Sequence, residues 1–253
     1  MSRRRALRGA ATLLVLSLFW EIGVLVGWLD PFFTSQPTAI ARELVEQIAT
    51  GELTANLAVS LGEFMVGFGS AIALGILLGM LAGWYRTLEY ALDPFVWFFY
   101  AAPLVAFYPL FVLWLGLGPR TVAAISFLLA LPPIMTNTLS GMKHVDPNLV
   151  RAARSLGAGR GDLFVKVALP ASVPMVMAGL RLGVGRALTG VVIAELFGAT
   201  AGLGFSISYY GSLLRTTEMM TSLVVIVGLG VLFHQGLSML EGRFDSWRTG
   251  PGA

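Results

Sequence analysis

Apolar runs long enough to cross a bilayer alternate along the chain with short polar breaks, and the breaks hold most of its charge. The first run spans Gly9 to Leu29. A polar stretch from Asp30 to Asn56 follows, in which Ala39 to Ala49 has the pattern of an amphipathic surface helix. Five further runs predict membrane helices: Leu57–Trp84, Pro94–Leu117, Thr121–Met142, Ala171–Ala199 and Met219–Leu240. The second run contains Gly75, Gly79 and Gly83 at four-residue spacing, either a stripe for close helix approach or the ordinary glycine content of membrane helices. The third is interrupted by Pro103 and Pro109, each of which removes a backbone hydrogen bond and favours a kink. The fourth holds Pro132-Pro133 and, one turn on, Asn137, which suits a cavity or a bond across helices.

The longest polar break in the second half is Asp146–Pro170. Asp146 can cap a helix and Pro147 fits its first turn, where a missing N–H costs nothing. Leu149, Ala152, Ala153 and Leu156 then share one face at helical spacing, with Arg151, Arg154 and Ser155 on the other. Gly157 supplies a left-handed stop. So short and polar a helix lies along a membrane face, either on anionic lipid or in a groove of another protein. Its small alanines bury little area in lipid and favour the groove, with Leu149 and Leu156 supplying most of the contact.

Charge placement orients the whole. With the N-terminus inside, the inner flanks hold Arg3, Arg4, Arg5, Arg8, Arg86, Lys143, Arg151, Arg154, Arg160, Lys166, Arg243 and Arg248. The outer loops hold only Arg42, Arg120 and Arg215, so the positive-inside rule puts both termini and the 146–170 break in the cytoplasm. The basic start, SRRRALR, also fits a signal peptide, even a twin-arginine one. A long apolar run without a small-x-small site instead favours a retained first helix.

Composition narrows the chemistry. The chain is 56% hydrophobic and 12% charged over 253 residues, the profile of an all-α integral membrane protein. A single transmembrane domain is expected over 1–253, with 1–56 as N-terminal helix and outer loop and 57–245 as core. There is no cysteine for a disulfide or thiolate site, no phosphate-binding Gly-x4-Gly-Lys-Ser/Thr loop, and no Ser-His-Asp candidate. His144 and His234 fall near span ends with no carboxylate cluster to support a metal or proton role. The fifth run carries Arg181, Arg186 and Glu195. Arg181 and Glu195 come within about 40° of one face, whereas Arg186 and Glu195 point oppositely. One face can line a pathway while the other ties to a neighbouring span, though Glu195 also fits a place at the outer interface. Glu21 and Glu63, near span ends, read as structural.

The order Ala152-Ala153, three residues, Gly157, nine residues, Val167-Ala168-Leu169-Pro170 resembles the EAA loop of permease subunits in bacterial ABC importers. The family pattern begins with Glu where Arg151 stands and usually has Ile at Val167. The runs PLFVLWLGLG (Pro109–Gly118) and GVVIAELFGATAGLG (Gly190–Gly204) are similar to the nitrate, sulfonate and taurine branch. Three blocks in order, within a likeness running from about Leu53 to Trp247, make the resemblance specific.

That resemblance implies about six transmembrane helices with a cytoplasmic coupling helix, as in type I importers. It implies that Leu149, Arg151, Ala152, Ala153, Leu156, Gly157, Leu169 and Pro170 meet an ATPase. The implied partners are two ATPase subunits that bind ATP and magnesium, a second permease copy, an extracytoplasmic solute-binding protein and membrane lipid, with no nucleic acid. No cofactor is expected on this chain and no covalent chemistry. The solute would be a small anion of sulfonate, taurine or nitrate type; as polar and charged groups within the spans, Asn137, Arg181, Arg186 and Glu195 are the candidates to line its pathway. An ion-gradient-driven secondary transporter is the alternative; it calls for a midplane ion site and an internal inverted repeat, and the chain shows no repeat and only a thin set of buried ions.

Overall fold

The computed structural model describes residues 3–245, with side chains from Ala11 to Gly242 and at Gly9. The side chains of Arg3, Arg4, Arg5, Arg8 and Arg243, and all of Arg248 and Trp247, lie outside the described residues, and with them part of the charge census. Every regular element described is helical. In order they are α1 (Arg3–Leu25), α2 (Pro31–Thr34), α3 (Pro37–Ala49), α4 (Glu52–Trp84), α5 (Arg86–Ala101), a 3-10 turn (Leu104–Phe107) and α6 (Tyr108–Leu115). There follow α7 (Pro119–Lys143), α8 (Pro147–Ser155), α9 (Arg160–Asp162), a π-helical turn (Leu163–Ala168), α10 (Leu169–Gly198), α11 (Leu203–Ser212) and α12 (Thr216–Asp245).

Four segments are long and apolar enough to cross a membrane: α4, α7, the stretch Arg160–Gly198 and Thr216–Gly242. The run expected as one kinked third span is broken far more sharply. Arg86–Ala101 and Leu104–Leu115 meet at 89°. Pro103 makes the break, because it offers no N–H to the carbonyl of Phe99, while the N–H of Leu104 turns back to Ala102 O at 2.8 Å. Pro109 bends nothing: it stands in the first turn of α6, where no donor is wanted. Within α1 (Arg3–Leu25), the apolar helix among the residues with described side chains is Ala11–Leu25. Boundaries also move: α5 starts at Arg86 instead of Pro94, and α1 stops at Leu25 instead of Leu29. The second span begins at Glu52 instead of Leu57, and the connection expected over Gly202–Thr217 contains the helix α11.

The core is a layer of three helices, with α7 between α4 and α10. Small residues make that possible. A Cβ on Gly79 would stand 2.6 Å from the carbonyl of Met135, and one on Gly190 2.9 Å from Cα of Ser126. The Gly75–Gly79–Gly83 stripe is therefore the α4–α7 seam, and a second glycine set on α10 is its counterpart. Phe64, Phe68, Val122, Ile125, Ile134 and Val191 fill the space between. By contrast α12 lies on the outside: no residue of its most apolar stretch is fully buried, and among its described residues Phe233 and Leu237 alone pack against the core cluster.

Candidate functional site

At the α8 end, the sequence builds the helix it announces. Asp146 accepts from the N–H of Asn148 at 2.8 Å, and Pro147 occupies the first turn. At the other terminus Gly157 takes φ +85°, its N–H reaches Arg154 O (2.9 Å), and the N–H of Ala158 reaches Ala153 O (3.0 Å). Those two bonds form a Schellman stop. Both ends are thus fixed by local chemistry, yet no residue of α8 is buried. Leu149 is 53% exposed and Leu156 88%. Ala152 is exposed beside them, while Ala153 and Val150 turn towards their own chain and are half-buried. The expected face thus divides: Leu149, Ala152 and Leu156 point away, and Ala153 seats the helix. Arg151 lies exposed, its guanidinium donating to Asn148 Oδ1 at 2.6 Å. Leu169 and Pro170 begin α10; Leu169 is half-buried and Pro170 exposed. Between them and α8 runs the π-helical turn, where Phe164 packs edge-on against Trp84 of α4.

The four pathway candidates part company. Asn137 sits in the α7–α10 seam, opposite Gly179, and donates to Pro133 O (2.8 Å) in its own helix. Arg181 forms an ion pair with Glu241 of α12, a tie between α10 and its outer neighbour. Glu195 is 1% exposed. It accepts from Ser60 Oγ (2.6 Å) and from the N–H of Gly204 (2.5 Å). Arg186 alone of the four is exposed, and among the described residues it has no ion pair, hydrogen bond or ring contact. Its depth matters: it lies 17 residues from Leu169 and 12 from Gly198, roughly 26 Å and 18 Å at about 1.5 Å per residue. An unpaired guanidinium near a helix centre costs about 2.5–3.5 kcal/mol on insertion scales, so this face of α10 is not one for lipid. It borders a cavity of about 260 Å³ between α10, the Pro132-Pro133 stretch of α7 and the break at Pro103.

The feature that sequence reasoning missed is a polar stripe on α4. Glu52, Asn56, Ser60 and Glu63, spaced four, four and three, fall on one helical face. They hold the N-terminus of α11, whose first N–H groups have no partner within their own helix. Gly202 N–H donates to Asn56 Oδ1 (2.9 Å), Leu203 N–H to Ser60 Oγ (2.8 Å) and Gly204 N–H to Glu195. A carboxylate at that position also suits the positive end of the helix dipole. Glu63, 4% exposed, sets its carboxyl beside that of Glu195. At the rim, Tyr210 of α11 donates to Glu52. Burial, and then that bond, push the Tyr210 hydroxyl well above the usual tyrosine range, so it stays a donor at any physiological pH. Glu21 likewise proves structural: it accepts from Thr38 N–H (3.1 Å) and Oγ1 (2.7 Å), joining α1 to α3. Three-group clusters of His, Asp or Glu suited to a metal do not occur among the described residues.

The comparisons with known proteins bear on this architecture directly. The family model described as binding-protein-dependent transport system inner membrane component matches residues 71–238, from mid-α4 through most of α12. The chain belongs to that family. A putative ABC transporter permease protein of Methanocaldococcus jannaschii is 38% identical over 91% of this chain and 88% of its own length. The taurine transport system permease protein TauC of Escherichia coli is 31% identical, covering 98% of this chain and 91% of that one. A putative aliphatic sulfonates transport permease protein of Bacillus subtilis is 30% identical, covering 93% and 85%. Among solved structures, the inward-facing MetNI methionine ABC transporter matches in fold with a TM-score of 0.58. It does so at 21% identity, over 85% of this chain and 99% of that one. The protein is thus a multi-pass membrane permease subunit of an ABC importer, without catalytic activity of its own; ATP is hydrolysed by a separate ATPase.

Proposed function

We propose that this permease carries a small organic anion of the sulfonate class, handed over by an extracytoplasmic binding protein, and that α8 is the helix through which an ATPase drives it. What supports the second half is the combination in α8: both ends locked, and Leu149, Ala152 and Leu156 left uncovered. A helix kept rigid with an apolar face outside its own chain is shaped for a groove. In this reading Arg151 meets the rim of that groove, Gly157 ends the helix, and Leu169-Pro170 passes its movement into α10. The π-helical turn between them is where the i→i+4 ladder already slips, a suitable hinge. Both termini then lie in the cytoplasm, α1 and the bent pair each count as one crossing, and two copies of the chain with two ATPases form the importer. The first half rests on the names of two relatives, a taurine and an aliphatic-sulfonate permease.

Co-purification of the ATPase with the Ala152→Trp variant at matched expression tests the docking. An indole on the exposed face is expected to abolish assembly and ATP turnover in nanodiscs while the permease itself stays folded. Wild-type assembly would remove α8 from the interface. Uptake of taurine into proteoliposomes holding the whole importer and its binding protein tests the substrate class.

A further inference from the structure

We propose that the cavity beside Arg186 is an anion subsite in the chain's own half of the pathway, with the Arg186 guanidinium receiving the oxyanion of a sulfonate or carboxylate. The inference rests on the sulfonate reading for its choice of ligand and on geometry for its location. Phe99, Tyr100, Pro103, Val105 and Pro133 form the walls, and Arg186 is the one charged group among the lining residues. No carboxylate lines the space, so nothing there cancels the field of the guanidinium. Its five N–H donors form a fixed fork that fits an oxyanion, and among the described residues none of them is engaged. Room for a ligand comes from the cavity itself, about 260 Å³, onto which Arg186 and Thr189 both open one turn apart on α10. Prolines free backbone carbonyls beside the cavity. Pro103 leaves the Phe99 carbonyl without its helical donor, and Pro132 and Pro133 do the same for Leu128 and Leu129. Such freed carbonyls are tolerated at membrane depth where protein or a wet cavity satisfies them.

Arg181 provides the internal contrast. It lies five residues earlier on the same helix, but its charge is matched by Glu241. Of the two arginines in α10, one is consumed in holding α12 and one is kept free.

Because the chain has no cysteine, a single introduced thiol reports on this space alone. Thr189, exposed and lining the same cavity one turn from Arg186, is the place for it. Thr189→Cys permease in nanodiscs would be treated with sulfonatoethyl or trimethylammonioethyl methanethiosulfonate. The thiolate attacks the sulfenyl sulfur, a protein–reagent disulfide forms, and methanesulfinate leaves with the electron pair of the broken S–S bond. Relative to a free thiol, the anionic reagent is expected to react about tenfold or more faster than the cationic one, the range of local enrichment given by a focused charge. Arg186→Gln should bring that ratio to about one and Arg186→Lys should keep most of it. 1-Propanesulfonate should slow labelling, and tetramethylammonium should not. A ratio unchanged in Arg186→Gln, a cysteine that neither reagent reaches, or a preference for the cation would each overturn the subsite. Should Arg186→Gln fail to accumulate, the ratio for Thr189→Cys permease with Arg186 intact, measured from low to about 1 M salt, decides, since screening must erase it. Labelling needs neither ATPase nor binding protein, so failure here is separable from failure of α8 to dock or of taurine to be transported.

Discussion

The two ends of this permease solve opposite problems. At the α11 end, polar groups from α4, α10 and α11 are turned inward and satisfied within the chain: Asn56, Ser60 and Glu195 meet three successive N–H groups of α11. At the α8 end, a helix of similar length is satisfied by its own residues, through Asp146 and Gly157, and then buries no residue fully. One helix is held in place by distant partners and the other is prepared locally and left open. The lesson is that exposure of α8 is not looseness. Its ends are closed by bonds within the helix and its flanks, whereas the first N–H groups of α11 are closed by α4 and α10.

That contrast can be broken by substitution. The largest effect is expected from Glu195→Ala, which orphans the Gly204 N–H and the Ser60 hydroxyl in a site 1% exposed. Unsatisfied buried groups cost about 1–3 kcal/mol each. Thermal unfolding in detergent should show a strong loss of stability, and an unchanged midpoint would deny that the polar seam holds α11. Next comes Gly79→Val in the α4–α7 seam. With the carbonyl of Met135 only 2.6 Å from the new Cβ, overpacking should cost about 1–3 kcal/mol, and folded yield is the readout. Gly157→Val should cost about 1–2 kcal/mol at a φ of +85°. Unlike the first two, it should act on α8 alone: amide exchange should rise over Pro147–Ser155 while the α4–α7–α10 layer keeps its protection. Ala152→Trp sharpens the comparison from the other side. As an exposed substitution it should move stability by no more than about 0.5 kcal/mol, yet ATPase binding should be lost. Arg151→Glu is expected to be mildest, weakening assembly severalfold through its changed charge and leaving the melting profile as it is.

The differences between expectation and structure have a common origin. Helical runs, the cap at Asp146 and the stop at Gly157 are local properties, decided by the 3.6-residue period and by single-residue backbone preferences, and they appear where the pattern places them. The break at Pro103 was also legible as an interruption. Its size was not, because a proline in a helix can be absorbed, as Pro132-Pro133 are inside α7, or can turn the chain through 89°. Whether neighbouring helices re-satisfy the freed carbonyls decides between them. The stripe Glu52–Asn56–Ser60–Glu63 had a periodicity that could have been noticed. Its meaning lay 135 residues away at Glu195 and 146 away at Gly202, and no local window joins them.

The sequence alone determined that the protein is a helical membrane chain, that α8 is a capped surface helix, and that Arg186 and Glu195 face opposite ways on α10. It determined these because hydrophobic runs, caps and angular spacing are set by neighbours within a few residues. Only the tertiary structure decided which face is which: Glu195 under α11, Arg181 against Glu241, Arg186 on an open cavity. Partner choice for a buried charge depends on what other helices bring to the same depth, and that is fixed only when α4, α7, α10 and α12 have packed.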